Sequence, residues 1–286
     1  MRRNCLFLII ISLSFLNIKA QTSEMGVFIG TSYYIGDLNP STQFGGAQSA
    51  GGILYRYNFN SRWAFKFSAL FGSVTGSDKE TNANNSRNLS FRAPISELSA
   101  QIELNFFQLF TAADKNHFSP YLFAGFSVFS FNPQARNVDP LAENKDHWYD
   151  LQPLGTEGQG LTGQPGLYSL TSFSIPFGLG LKVNFLRNFS FGAEWGMRKT
   201  FTDYLDDVST TYYDPDILAF QRSEATAQLA DPSKIKHITG TARGNSTTKD
   251  WYSFAGIWLT FKLFNNNDNC PAYERSKFHN NRKSKK

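Results

Sequence analysis

The chain has 286 residues, enough for one or two domains, with a formal net charge of +5 and 28 phenylalanines. Beyond residue 20 no segment holds about 18 uninterrupted apolar residues, which excludes a helical membrane anchor there. The positive charge sits at the ends: losing Arg2, Arg3 and Lys19 with a leader lowers it to +2, residues 265–286 contribute a local +4, and the body is near −2, so the basic stripe that nucleic-acid binding needs is missing.

Arg2 and Arg3 precede an apolar run from Leu6 to Leu16, and Asn17-Ile18-Lys19-Ala20 offers a cleavage site before Gln21. The run is too short to span a bilayer as a helix, so residues 1–20 read as an export signal. Cys5 lies inside it without the aliphatic residues that precede a lipidated cysteine. Maturation leaves Cys270 as the remaining thiol; in an oxidising compartment such a thiol pairs with another chain, stays reduced or is modified.

The first mature strand is expected over about Met25 to Tyr34, with Met25, Val27, Ile29 and Tyr33 on one face and Gly26, Phe28, Gly30 and Ser32 on the other, because a pleated strand sends successive side chains to opposite faces. A second, Ala47 to Phe59, sets Ile53, Tyr55, Tyr57 and Phe59 against Gly52, Leu54, Arg56 and Asn58. After a tight Asn60-Ser61 turn the third sets Trp63, Phe65, Phe67, Ala69 and Phe71 against Ala64, Lys66, Ser68 and Gly72. The fourth, about Arg92 to Phe106, alternates Leu98, Ala100, Ile102, Leu104 and Phe106 with Glu97, Ser99, Gln101, Glu103 and Asn105. In the fifth, Tyr121 to Phe131, both faces carry aromatics, and Leu122, Ala124, Phe126 and Val128 are assigned outward.

Thr171 to Phe201 shows the period most plainly. Phe173, Ile175, Phe177, Leu179, Leu181 and Val183 share one face, and after a Phe185-Leu186-Arg187-Asn188 turn so do Phe189, Phe191, Ala193, Trp195 and Met197. The opposite face of this hairpin is small or polar and carries Lys182, Glu194 and Arg198. Trp251 to Leu263 supplies the eighth strand. A soluble sandwich also alternates; here the cramped polar face reads as a barrel interior and the bulky apolar face as an exterior touching lipid.

Connections alternate in length. Phe59-Arg62, Phe107-His117 and Phe185-Asn188 are short, whereas Gly36-Gly46, Val74-Phe91, Asn132-Leu170 and Thr200-Asp250 are long and polar. The expected fold is therefore all-β: an eight-stranded antiparallel up-and-down transmembrane β-barrel over residues 21–264, closed because an open edge in lipid leaves backbone groups unpaired. Its long loops face the cell exterior; the termini, short turns and a basic tail over 265–286 face the periplasm. Tyr33, Tyr55, Tyr57, Trp63, Tyr121, Trp195, Trp251 and Tyr252 lie near strand ends and suit an interfacial girdle.

An eight-stranded barrel is filled by side chains, so Arg56, Lys66, Lys182 and Arg198 are expected to form a lumen salt-bridge network with Glu97, Glu103 and Glu194. Glu97 and Glu103 stand roughly 20 Å apart along one strand, too far to act on one bond. Of the four histidines, His147, close to Asp146 and Asp150, is the serious candidate for a Ser/His lipid enzyme. Asp203, Asp206, Asp207, Asp214 and Asp216 offer a weak calcium site, without the spacing or glycine of an EF-hand. Gly155 to Gly166 is read as a flexible surface loop.

The runs GTSYYIGDLNP (Gly30 to Pro40), FNPQA (Phe131 to Ala135), WYDLQPLGTEGQG (Trp148 to Gly160) and TFTDYLDDVSTTYYD (Thr200 to Asp214) together resemble the PorG family, outer-membrane β-barrels of Bacteroidota associated with the type IX secretion system. The resemblance implies a non-enzymatic barrel, without a cofactor or small-molecule substrate, that anchors the periplasmic ring of PorK and PorN. Partners would then be outer-membrane lipid and those periplasmic proteins. His117, Cys270, Arg282, Lys283, Lys285 and Lys286 are the candidate partner contacts, with Thr111 to His117 and Cys270 to Lys286 as their segments. The alternative is a surface-binding or small channel-like barrel acting through its long loops.

Overall fold

The computed structural model describes residues 22–81, 84, 86–107, 118–136, 147–184 and 188–265. Residues 1–20, the Phe185-Leu186-Arg187 turn and the candidate contacts His117, Cys270, Arg282, Lys283, Lys285 and Lys286 lie outside the described residues.

Ten strands occur among the described residues: β1 (Thr22–Ile35), β2 (Gln48–Asn58), β3 (Trp63–Ser77), β4 (Ser90–Asn105), β5 (Phe118–Phe131), β6 (Gln134–Arg136), β7 (Trp148–Asp150), β8 (Thr171–Asn184), β9 (Phe189–Thr200) and β10 (Trp251–Asn265). The long strands pair antiparallel in the order β3, β2, β1, β10, β9, β8, β5, β4, and β3 pairs with β4 to close an eight-stranded barrel. No described helix is long and apolar enough to cross a membrane. Outward positions keep the expected parity: Ile29, Ile53, Phe71, Leu98, Phe126, Phe173 and Ile257 are all exposed.

One expectation about the loops fails. Val74 to Phe91 is not a long loop, because β3 and β4 stay paired up to Ser77 and Ser90, leaving a connection that includes the single turn α1 (Asp78–Thr81). Above the apolar belt the polarity of the wall inverts: Val74, Phe91, Ala93 and Ile95 are buried inside while Ser73, Thr75 and Arg92 take the outer face. A strand whose outer face meets water carries the opposite alternation from one whose outer face meets lipid, so a reading tuned to the belt loses it there. The aromatics on both faces of β5 have the same origin, with Phe129 and Phe131 joining this inner apolar layer.

The interior is also less polar than the β8–β9 hairpin implies. Tyr121 and Tyr252, placed above in the girdle, are inside the barrel and fully buried, beside Phe28, Phe123, Phe254 and Trp258. The hairpin's glycines make the room: a Cβ at Gly180 would stand 2.4 Å from the Tyr121 ring, and one at Gly192 would stand 2.5 Å from the Trp258 ring. Tyr33 does face outward but is covered by Phe44 and receives the Trp195 indole N–H at 2.8 Å.

Candidate functional site

The lumen is held by ion pairs in two layers. In the lower one, register alone sets Glu24 opposite Arg56 and Arg56 opposite Lys66. Two cations facing each other across a strand pair repel, and the carboxylates around them turn this into attraction. Glu103 of β4 accepts Arg56 Nε at 2.8 Å and Nη2 at 3.1 Å, and Lys182 Nζ at 3.2 Å, with Lys66 Nζ at 3.5 Å. Lys66 also reaches Glu194 at 2.5 Å, which accepts the Tyr121 hydroxyl at 2.7 Å. Arg56 Nη1 donates to Glu24 at 3.2 Å, and its guanidinium lies 4.3 Å from the Trp258 ring centre.

In the upper layer Arg198 meets Glu97 through Nε and Nη2 at 3.0 and 3.3 Å, and Tyr252 donates to the same carboxylate at 2.7 Å. The structure thus joins Arg56, Lys66, Lys182, Glu103 and Glu194 in one cluster and holds Arg198 and Glu97 as a separate pair. Sequence reasoning missed Glu24, which stands one residue before the predicted start of β1. The signal was available as a charge deficit: four inward cations had three inward carboxylates, and buried charge has to be matched.

Above the aromatic layer the long loops fold into a cap. Asp206 and Asp250 converge on Tyr34, whose hydroxyl lies 2.5 Å from one and 3.0 Å from the other. A phenol has one proton to donate, so the second contact requires a carboxyl that keeps its own. Burial, and then the neighbouring carboxylate, pushes both acids well above the usual carboxylate range: Asp206 faces Asp250, and Asp250 faces Asp203. Asp207 accepts Thr156 at 2.5 Å and Tyr168 at 2.6 Å; burial lifts it to about 6 against the pull of Arg243. Asp203, lifted to about 6 mainly by burial, accepts Ser209. Arg243 bridges Glu157 at 3.0 Å and the Asp207 carbonyl at 2.5 Å.

These contacts give the aspartates of the calcium candidate separate tasks. Asp214 caps a short helix, α2 (Pro215–Gln221), which precedes α3 (Glu224–Ala230), and Asp216 is exposed. Among the described residues no three acidic, histidine or cysteine side chains come together as a metal set. The Gly155 to Gly166 stretch is not simply a flexible loop: Gly155, Gly158 and Gly160 take φ of 60, 86 and 78°, turns open to glycine, and Thr156, Glu157 and Gln159 are buried between them.

His147 packs on Tyr149, while Asp150 accepts the Asn132 and Gln134 amides; Asp146 lies outside the described residues. Another histidine does meet a serine and a carboxylate. His237 Nδ1 stands 3.4 Å from Ser233 Oγ and 3.2 Å from Asp231, with its ring stacked on Tyr212. Serine and aspartate face the same ring nitrogen, so no proton relay runs from one to the other through the imidazole. Asp231 instead accepts the His237 and Ser233 backbone N–H groups, as a turn-forming aspartate does.

A family described as a domain of unknown function (DUF6089) matches residues 3–150, more than half of the sequence. The chain belongs to that family. The DUF6089 segment runs through β7 and contains Glu24, Arg56, Lys66, Glu97 and Glu103, while Lys182, Glu194, Arg198 and the 201–250 part of the cap follow it. No curated protein matches the chain. Similar solved structures include Neisserial surface protein A, at 9% identity and TM-score 0.40 over 85% of this chain and 97% of that one. Ail of Yersinia pestis in complex with the heparin analogue sucrose octasulfate gives 12% and 0.37 over 85% and 98%. The outer membrane protein OprG of Pseudomonas aeruginosa gives 11% and 0.36 over 85% and 94%. These likenesses are too distant to bear on role; the barrel rests on the strand pairing above.

Proposed function

We propose that the protein is a non-enzymatic outer-membrane barrel that works as a closed scaffold, with its long loops outside the cell and its short turns and termini in the periplasm. One observation carries this reading: aliphatic and aromatic side chains are exposed all round the barrel, while four cations and four carboxylates are paired inside it. That is the distribution a lipid solvent imposes. A lumen filled by ion pairs and aromatic rings speaks against passage of solutes.

The role we assign to the scaffold is PorG-like: docking the periplasmic PorK/PorN ring of the type IX secretion system. Support comes from the four segments of the resemblance, which meet in the cap: Tyr34 touches Asp206, Thr156 touches Asp207, and the Leu151 N–H donates to Pro133. Deleting the gene is expected to abolish release of proteins bearing the type IX signal, and deleting Thr111 to His117 with Cys270 to Lys286 to abolish co-purification of the ring lipoprotein. Normal release refutes the role. A second reading, recognition of an extracellular partner, is favoured by exposed Phe220, Ile235 and Ile238 on the cap; exchanging the 201–250 loop while secretion continues separates the two.

A further inference from the structure

Strand register arranges the outward wall of β3, β4, β5 and β8, with the short β6 and β7 above, in rows. Nearest the cap stand Thr75, Arg92, Gln134 and Asp150. Four residues further along β4, roughly 13 Å at strand rise, come Phe71, Ser96, Ser130 and Thr171, three hydroxyls in line. With Leu98 and Val128 they line a recess of about 340 Å³. Leu98 and Val128 also border a groove of about 570 Å³ floored by Ala69 and Ala100. Ala100 and Phe126 in turn border a third, of about 980 Å³, around Ala124. Shared residues make the three one furrow, polar at its extracellular end and apolar below.

In the row nearest the cap, above the furrow, one indole carries two cations. The Arg92 guanidinium lies 3.6 Å from the Trp148 ring centre and that of Arg136 lies 4.9 Å from it. Neither has a carboxylate at ion-pair distance among the described residues. Arg92 Nε donates to Gln134 at 3.0 Å, and Asp150 in the same row is taken up by the Asn132 and Gln134 amides at 2.8 and 2.7 Å. Two like charges held against one ring repel, and an anion between them removes that cost.

We propose that this furrow binds one phosphorylated lipid of the outer leaflet. Its phosphate sits on Arg92 and Arg136, its hydroxyl-bearing head against Ser96, Ser130 and Thr171, and an acyl chain over Ala69, Ala100 and Ala124. Charge complementarity at the head and the polarity switch along the wall select a lipid over a protein segment. The site rests on the membrane placement proposed above.

The test uses the full chain in detergent, with phosphorylated lipid A and its dephosphorylated form as probes and bound lipid counted by native mass spectrometry. The wild type is expected to retain the phosphorylated form preferentially. R92Q/R136Q lowers that retention by roughly thirtyfold, taking each basic group at its usual worth near anionic lipid. Ala100→Trp lowers it with both arginines in place, and heat-modifiable gel mobility confirms that each variant is a folded barrel. Lys199→Gln is the control: it removes another outward cation, 5.8 Å from the Trp251 ring centre, and leaves retention within about twofold. Equal retention by wild type and R92Q/R136Q, equal retention of the two probes, or an equal loss in Lys199→Gln overturns the site. So does a Leu98→Cys cross-link between copies in nanodiscs, which would give the wall to a second copy. A chain that fails to enter vesicles refutes the membrane placement; one that enters and ignores phosphate refutes only the lipid site.

Discussion

Glu103 is the carboxylate on which the lower charge layer turns, and Glu103→Gln changes its charge with little change in shape. It holds Arg56 and Lys182 by hydrogen bonds and Lys66 at 3.5 Å, with no exposure on any of its atoms. The variant leaves three cations facing Glu24 and Glu194 alone, one unmatched positive charge in a closed lumen. Removing one partner of a buried pair costs about 3–5 kcal/mol, a large part of the roughly 5–15 kcal/mol that holds a domain together. Glu194→Gln should cost less, about 1–3 kcal/mol, because Glu194 meets one of those cations, Lys66, whereas Glu103 meets all three. Urea unfolding from lipid vesicles, followed by tryptophan emission, measures both, because Trp258 lies against the Arg56 guanidinium. Adding Lys182→Met to Glu103→Gln restores the balance and should recover at least about 1 kcal/mol. A Glu103→Gln midpoint equal to the wild type, or strictly additive effects in the double variant, refutes the charge-matching account.

The cap should loosen as pH rises. Asp203 and Asp207 are raised from the ordinary aspartate range to about 6, so the folded cap binds more protons than the unfolded chain; its stability is full below about pH 4 and falls through about pH 6. Asp206 and Asp250, raised further, extend the loss upward. Hydrogen exchange of residues 201–250, corrected for its intrinsic pH dependence, should therefore accelerate across that range, and Asp250→Asn should flatten the upper part; a pH-independent profile contradicts it. Gly192→Val drives a side chain into the Trp258 ring and into the Leu181 carbonyl across the pair; a cost of about 1–3 kcal/mol is expected from overpacking, and vesicle folding yield reads it. In a planar bilayer the wild type should show no porin-like steps, and deleting 201–250 should not create them, since the rings of Tyr121, Phe123 and Trp258 still fill the barrel below; steady large steps in either protein would overturn the closed-scaffold reading.

All eight barrel strands, and their facing within the apolar belt, were legible in the sequence, as Ile53, Leu98 and Phe173 show, because period-two alternation is a local property and lipid forces it along the belt. Seven of the eight buried lumen charges were legible for the same reason: parity alone turns Arg56, Glu103 and Lys182 inward. What parity does not carry is depth, or which of two inward groups meet. Only the closed barrel, by fixing the stagger between strands, brought Glu103 of β4 to Arg56 of β2 and Lys182 of β8, added Glu24, and set Tyr121 over Gly180 and Trp258 over Gly192 in directly paired positions. The cap was decided wholly at that level. Tyr34 and Asp206 are separated by 172 residues, and no periodicity marks loop residues that are buried one at a time by partners so far along the chain.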